Sequence, residues 1–303
     1  MSRRPPPPGT EDWRRLMTVS YFLQTLITGL SSGMVSYMMV AGMSLIISGM
    51  NMVNFGQGAF FVLGTYLTYT MVPRIGFIPS LLIVPIIVGL LGYFVELAVR
   101  PLFGKNMLYI MLLTYGVAYI VCDLMVMIWG YQIRLLSLPK FLNGAVNLFG
   151  IYFPVYYVFM IFVGAFIALG FWLMINKTRL GMLMRAIISD REMVGCLGIN
   201  VNMLFSVMFM IGMGIAGLGG VVNAPITGMS PKEGLSIFGN IMPILMIGGM
   251  RNMNGCLPAA LIVGLVNAFG AIYFPQYYNL LPAALMVICM LIKPNGIFTR
   301  KEA

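Results

Sequence analysis

The chain has 303 residues, of which 60% are hydrophobic and 9% charged, with a mean hydropathy of +0.95. Soluble domains carry about a quarter charged residues, so this composition excludes a water-soluble globule and requires a surface that faces lipid. The net charge of +10 does not call for nucleic acid, because Lys and Arg of membrane proteins collect in cytoplasmic loops; membrane lipid is the expected surrounding.

Residues 1–17, beginning MSRRPPPPGTEDWRR, read as a disordered tail. The apolar run behind them is too long for a signal h-region and lacks an A-x-A-like cleavage site. Apolar segments are then expected at 18–49, 52–72, 78–99, 107–129, 151–175, 204–224, 236–250, 257–274 and 279–292. These runs are continuous rather than alternating, which excludes a β-barrel. The expected fold is an all-α polytopic membrane protein of about eight or nine transmembrane helices, with broken or re-entrant segments. Segment 18–49 is too long for one untilted span, and 236–250 is too short to cross comfortably.

Where the first segment meets the second stands NMVNFGQG, residues 51–58. Asn and Gly stop helices, and a helix stopped in lipid leaves unpaired N–H and C=O groups. Two readings follow. Asn51, Asn54, Gly56, Gln57 and Gly58 border a translocation path, as discontinuous helices do in transporters; or they form a tight turn at the membrane surface, capped by Asn54.

Glu96 and Arg100 are four apart, a spacing that permits an ion pair at the end of a span. Asp123 lies inside an apolar segment, facing a polar path, another helix or the outer interface. The stretch IGMGIAGLGG, 211–220, puts Gly212, Ala216 and Gly220 on one helix face. Such a face lets helices approach closely, either within the chain or at a seam between subunits.

Residues 176–200, NKTRLGMLMRAIISDREMVGCLGIN, form the longest polar stretch. From Gly181 to Leu197 the pattern suits one or two short amphipathic helices, with an apolar stripe of Leu183, Ile187, Val194 and Leu197. Gly198 marks a helix stop. Such a helix docks on a soluble partner or lies flat on the bilayer. Placing Arg100–Asn106, 176–203 and the C-terminal tail inside is self-consistent. The N-terminus conflicts with this: either 18–49 crosses twice, or Arg3, Arg4, Arg14 and Arg15 break the rule.

The chain has no histidine, four scattered cysteines and no C-x-x-C pair, so neither a zinc site nor a redox pair is expected. It has no P-loop sequence, so ATP would have to be hydrolysed elsewhere. No intramembrane chain of Lys, Glu or His offers a proton relay.

Several motifs in order carry a resemblance. NFGQGAFFVLGTYL (54–67), RPL (100–102), TRLGMLMRA (178–186) with Asp190 and GIN (198–200), IGGM (247–250) with Gly255, and KPNGIF (293–298) are similar to the membrane permease subunit of bacterial ABC importers for branched-chain amino acids, the LivH-like family. The resemblance spans about residues 20 to 300. It departs at Gln57, where many members have His, at Arg251 and Ala259, where Gly is common, and at Val194, usually Ala.

The resemblance implies a single permease domain over 18–303, with 177–200 as the region coupled to the ATPase. It implies a second related permease (LivM-like), two ATP-binding subunits and an extracytoplasmic substrate-binding protein. This chain would bind no cofactor; ATP and Mg would belong to the partner subunits. It implies coupling through Gly181, Arg185, Ala186, Asp190 and Gly198, transport of branched-chain or other small amino acids, and a place in the bacterial inner membrane. Other readings are a permease of the same superfamily for urea, amides or sugars, a secondary transporter without ATPase partners, and a structural subunit.

Overall fold

A computed structural model describes residues 10–103, 105–139, 142–148, 151–250, 252–294 and 296–298. Among the described residues there are twelve α-helices: α1 (Thr10–Met50), α2 (Gln57–Ile75), α3 (Phe77–Val99), α4 (Met107–Trp129), α5 (Val155–Lys177), α6 (Arg179–Ser189), α7 (Arg191–Cys196), α8 (Val201–Asn223), α9 (Glu233–Ser236), α10 (Phe238–Gly248), α11 (Cys256–Tyr273) and α12 (Leu281–Ile292). Among the described residues, six helices are long and apolar enough to cross a membrane: α1, α3, α4, α5, α8 and α11. Helix α2 has 19 residues but carries Gln57, three threonines and Arg74. Helices α10 and α12 have 11 and 12 residues, about 17 Å each, too short to span the hydrocarbon of about 30 Å alone. All nine apolar segments are therefore helices, three of them atypical, and the all-α polytopic fold holds.

Helix α1 is a single 41-residue helix, about 62 Å long. Segment 18–49 thus crosses once, not twice. Its C-terminal end, Ser48–Met50, and the following Asn51 and Met52 line a cavity with Phe103, Lys105 and Ile187, at the end of the molecule that the positive-inside rule would make cytoplasmic. On that placement the helix would start on the opposite side, with Arg14 and Arg15 as the exception to the rule; Arg3 and Arg4 lie outside the described residues. Residues 10–17, read from the sequence as the end of a tail, belong to α1.

Helices α1 and α8 form the centre, with 78% and 67% of their apolar windows buried, against 28% for α4 and 22% for α5. Lipid tails are as apolar as leucine, so packing here is driven by close contact. A Cβ on Gly42 of α1 would overlap the Gly212 carbonyl oxygen of α8, and one on Gly220 would overlap the Phe61 carbonyl oxygen of α2. The small face at 211–220 is a seam within the chain. Thr65 Oγ1 donates to the Gly220 carbonyl at 3.1 Å, and Tyr156 Oη to that of Val222 at 2.7 Å.

A β-hairpin, β1 (Ala145–Leu148) and β2 (Ile151–Pro154), precedes α5, with Ala145 paired to Pro154 and Leu148 to Ile151. The sequence reading merged 151–154 into the apolar span behind it.

The motifs IGGM and KPNGIF meet in space. Ile297 N donates to the Ile247 carbonyl at 3.0 Å, and Asn252 Nδ2 to that of Phe298 at 2.7 Å. Gly249 and Gly296 take φ of +91° and +94°, angles only glycine adopts without strain. Arg251 and Asn295 lie outside the described residues.

Candidate functional site

The break between α1 and α2 is built by its own side chains. Asn51 stops α1 in the left-handed region, φ +52°, its N–H donating to Ile47 at 2.9 Å; asparagine tolerates this conformation better than most residues. Residues 51–56 are not helical, and α2 starts at Gln57. Gln57 Nε2 donates to the carbonyls of Met39 at 3.3 Å and Gly212 at 3.1 Å. Met39 lies eleven residues before the end of α1, about 17 Å along its axis. Residues 51–56 span at most about 20 Å, Phe55 and Gly56 forming a turn, and Gly212 likewise stands eleven residues inside α8. The chain therefore climbs back from the cytoplasmic end to the depth of Met39 before α2 begins. This is a re-entrant segment and not a surface turn.

Irregular backbone at this depth persists only where protein satisfies it. Phe55 N donates to Thr114 Oγ1 at 3.3 Å, and Gly56 N to Asn54 Oδ1 at 3.0 Å. A Cβ on Gly58 would overlap the Gly234 carbonyl oxygen of α9. Asn54, Gly56, Gln57 and Gly58 are buried within the chain, and only Asn51 of the five reaches a surface, on a cavity of 420 Å³ shared with Lys105, Ile187 and Ile188. The sequence left Asn54 and Gln57 either bordering a path or in a turn capped by Asn54. In this conformation both brace the backbone: Gln57 donates to two carbonyls of neighbouring helices, while Asn54 accepts from Gly56 N and its Nδ2 meets Met213 Sδ at 3.7 Å. Gln57→Leu is accordingly expected to cost about 1–2 kcal/mol through its two lost hydrogen bonds, measured as a fall in the melting temperature of the purified chain.

Phe55, passed over in the sequence, is half-buried in the break. It stacks on Phe238 with ring centroids 4.0 Å apart and meets Tyr115 edge-on at 5.7 Å. Tyr115 and Tyr119 are T-shaped at 5.0 Å, with hydroxyls 3.5 Å apart. Asp123, one turn further along α4, is exposed. The tyrosine–tyrosine–aspartate spacing of four was the available signal, since it lines one edge of a helix. A charge at the centre of a helix in lipid costs about 2.5–3.5 kcal/mol; Asp123 stands six residues from the end of α4.

Between α5 and α8 the polar stretch forms two helices. Thr178 Oγ1 accepts from Gly181 N at 3.3 Å to cap α6, and Asp190 Oδ1 accepts from Met193 N at 3.0 Å to cap α7. Arg185 Nη1 donates to the Ile175 carbonyl, and a Cβ on Gly181 would overlap that same oxygen, so α6 is folded tightly against the end of α5. Gly198, with φ +79°, makes the turn towards α8. The buried stripe is Gly181, Met184, Ile187 and Val194; Met184 replaces the expected Leu183, and Leu197 is 71% exposed. The outward face shows Met182, Arg185, Ala186 and Ser189, with Met193 and Leu197 beyond. Asp190→Ala is expected to weaken α7 by about 1 kcal/mol. Hydrogen exchange of the 191–197 amides would quicken, with protection in α8 unchanged.

The family model for the permease component of branched-chain amino acid transport systems matches residues 25–290. The chain belongs to this family. It is 26% identical to the high-affinity branched-chain amino acid transport permease BraD of Pseudomonas aeruginosa, over 94% of this chain and 98% of that one. It is 24% identical to LivH of Escherichia coli K12, over 93% and 97%. A ribose import permease of Haemophilus influenzae matches 52% of this chain and 50% of its own length at 24% identity. The structure of PsaBC from Streptococcus pneumoniae in complex with Fab superposes with a TM-score of 0.54 over 91% of this chain and 92% of that one, at 16% identity, which shows a shared fold. The chain is a multi-pass membrane permease component of the ABC importer type, a transport subunit and not an enzyme.

Proposed function

We propose that this permease component forms half of the membrane core of an ATP-driven importer of branched-chain or other small amino acids in a bacterial inner membrane. The observation that supports this best is the 420 Å³ cavity where Ile187 and Ile188 of α6 face Ser48–Met52 at the foot of the broken segment. A push on α6 and α7 from below reaches the break directly. In this reading two ATP-binding subunits grip the exposed face around Arg185, Ala186 and Asp190, close on ATP and Mg, and carry no chemistry into this chain, which has no ATPase site of its own. A second, LivM-like permease completes the path, and an extracytoplasmic binding protein delivers the substrate. Residues 18–303 act as one domain, with 177–200 as its coupling region.

Apolar walls suit a small zwitterion that passes without a tight site. The partial match to a ribose permease makes sugar the competing cargo. The test is radiolabelled uptake into proteoliposomes holding the complete assembly, with and without ATP. ATP-dependent leucine uptake is expected. Uptake of ribose or urea instead would change the cargo, and uptake without ATP or ATPase subunits would remove the proposal.

A further inference from the structure

We propose that Asp123, with the hydroxyls of Tyr115 and Tyr119, receives the ammonium group of a primary-amine substrate on the wall of the path, an inference that rests on the importer reading above. Three observations carry it.

The first is depth. Asp123 stands six residues before Trp129, the end of the 23-residue α4, about 9 Å inside a helix about 34 Å long. Trp129 marks the outer interface, as membrane tryptophans do, and is tied by its Nε1 to Thr70 Oγ1 at 2.7 Å. The short aspartate side chain does not span that distance to the headgroups.

The second is direction. The neighbouring residue Cys122 is buried, and a Cβ on Gly234 of α9 would lie 3.1 Å from its Sγ. Asp123 is therefore level with α9 and turned away from the core. Among the described residues its carboxylate has no hydrogen bond or ion pair. Lys232, on the same outer side, sits over the Tyr131 ring at 5.2 Å.

The third is continuity. Phe238, Phe55, Tyr115 and Tyr119 form an unbroken aromatic column running along α4 from the re-entrant segment towards Asp123. A carboxylate only accepts hydrogen bonds when ionised, and aromatic faces attract cations. Together they suit an ammonium with an apolar side chain. A helix seam in lipid would instead present small residues, as the α1–α8 seam does.

The experiment uses the complete assembly in proteoliposomes. Asp123→Asn is expected to lower ATP-driven leucine uptake at least about ten-fold at normal assembly yield, while Asp123→Glu keeps it within about three-fold. In a Cys196→Ser background, Asp123→Cys is expected to react with a cationic, membrane-impermeant methanethiosulfonate applied from the binding-protein side, and leucine-loaded binding protein is expected to slow the reaction. If the unmodified assembly fails to import leucine, the importer reading itself is lost. If it imports leucine and Asp123→Asn does so equally, only the role of Asp123 is overturned. An unreactive Asp123→Cys, or failure of both variants to assemble, would mean that the second permease or lipid covers the face, and would overturn it too.

Discussion

Arg100→Met is expected to lower the melting temperature of the folded chain clearly, because it strands the buried Glu96 carboxylate without its cation. Glu96 is fully buried at the end of α3, and Arg100 is one-third exposed. Arg100 Nε and Nη2 donate to the two Glu96 oxygens at 3.1 and 2.8 Å. Ser206 of α8 closes the group: its Oγ accepts from Arg100 Nη2 at 2.8 Å and lies 2.9 Å from Glu96 Oε2 as a donor. Methionine would leave a carboxylate inside the protein with one hydroxyl for company. The arginine's partial exposure admits water to the site, which tempers the loss. Adding Glu96→Gln to Arg100→Met is expected to recover more than half of the loss, because no charge then remains buried. Arg100→Lys keeps the charge but forfeits the forked contact. Melting temperatures of the four proteins, read as a double-mutant cycle, check this. A double variant as unstable as Arg100→Met would refute it.

Gly212→Val is the second large effect. A Cβ at Gly212 would lie 2.7 Å from the Gly42 carbonyl oxygen and 3.1 Å from Ile46 Cδ1. The nearest obstacle is backbone, so no rotamer change relieves it, and α1 and α8 must separate. Overpacking costs about 1–3 kcal/mol where side chains can yield, and more where they cannot. A loss of at least about 3 kcal/mol is therefore expected, seen as failure to recover monodisperse protein. Gly116→Ala and Gly239→Ala supply the contrast. Nothing lies within 4 Å of a Cβ at either position, so both are expected to stay within about 0.5 kcal/mol of the unmodified protein.

Much of this was legible in the sequence. Apolar runs mark the helices because lipid leaves few other places for them, and a spacing of four was enough to pair Glu96 with Arg100. Ser206 was not legible, since nothing local ties it to a residue 106 positions away. Gly212, Ala216 and Gly220 announced a close approach without saying to what; α1 and α2 are the answer. Asn54 and Gln57 were recognised as out of place in lipid, but periodicity says nothing about a side chain on irregular backbone, and both turned inward. Phe55 went unremarked because an aromatic residue among apolar ones carries no contrast. In the coupling region the stripe was placed one residue early, at Leu183 rather than Met184, because the close fit of Gly181 to α5 sets the rotation of α6.

The climb over residues 51–56 has a mechanical consequence. Of these residues, Met52, Val53 and Asn54 lie outside both helix and turn; an extended residue advances about 3.3 Å and a helical one about 1.5 Å, so winding one such extended residue onto α1 would shorten the tether by about 1.8 Å. Inward-facing and outward-facing states can then differ by the winding of a few peptide units, with the flanking helices moving as stiff rods and the glycine seam between α1 and α8 left intact.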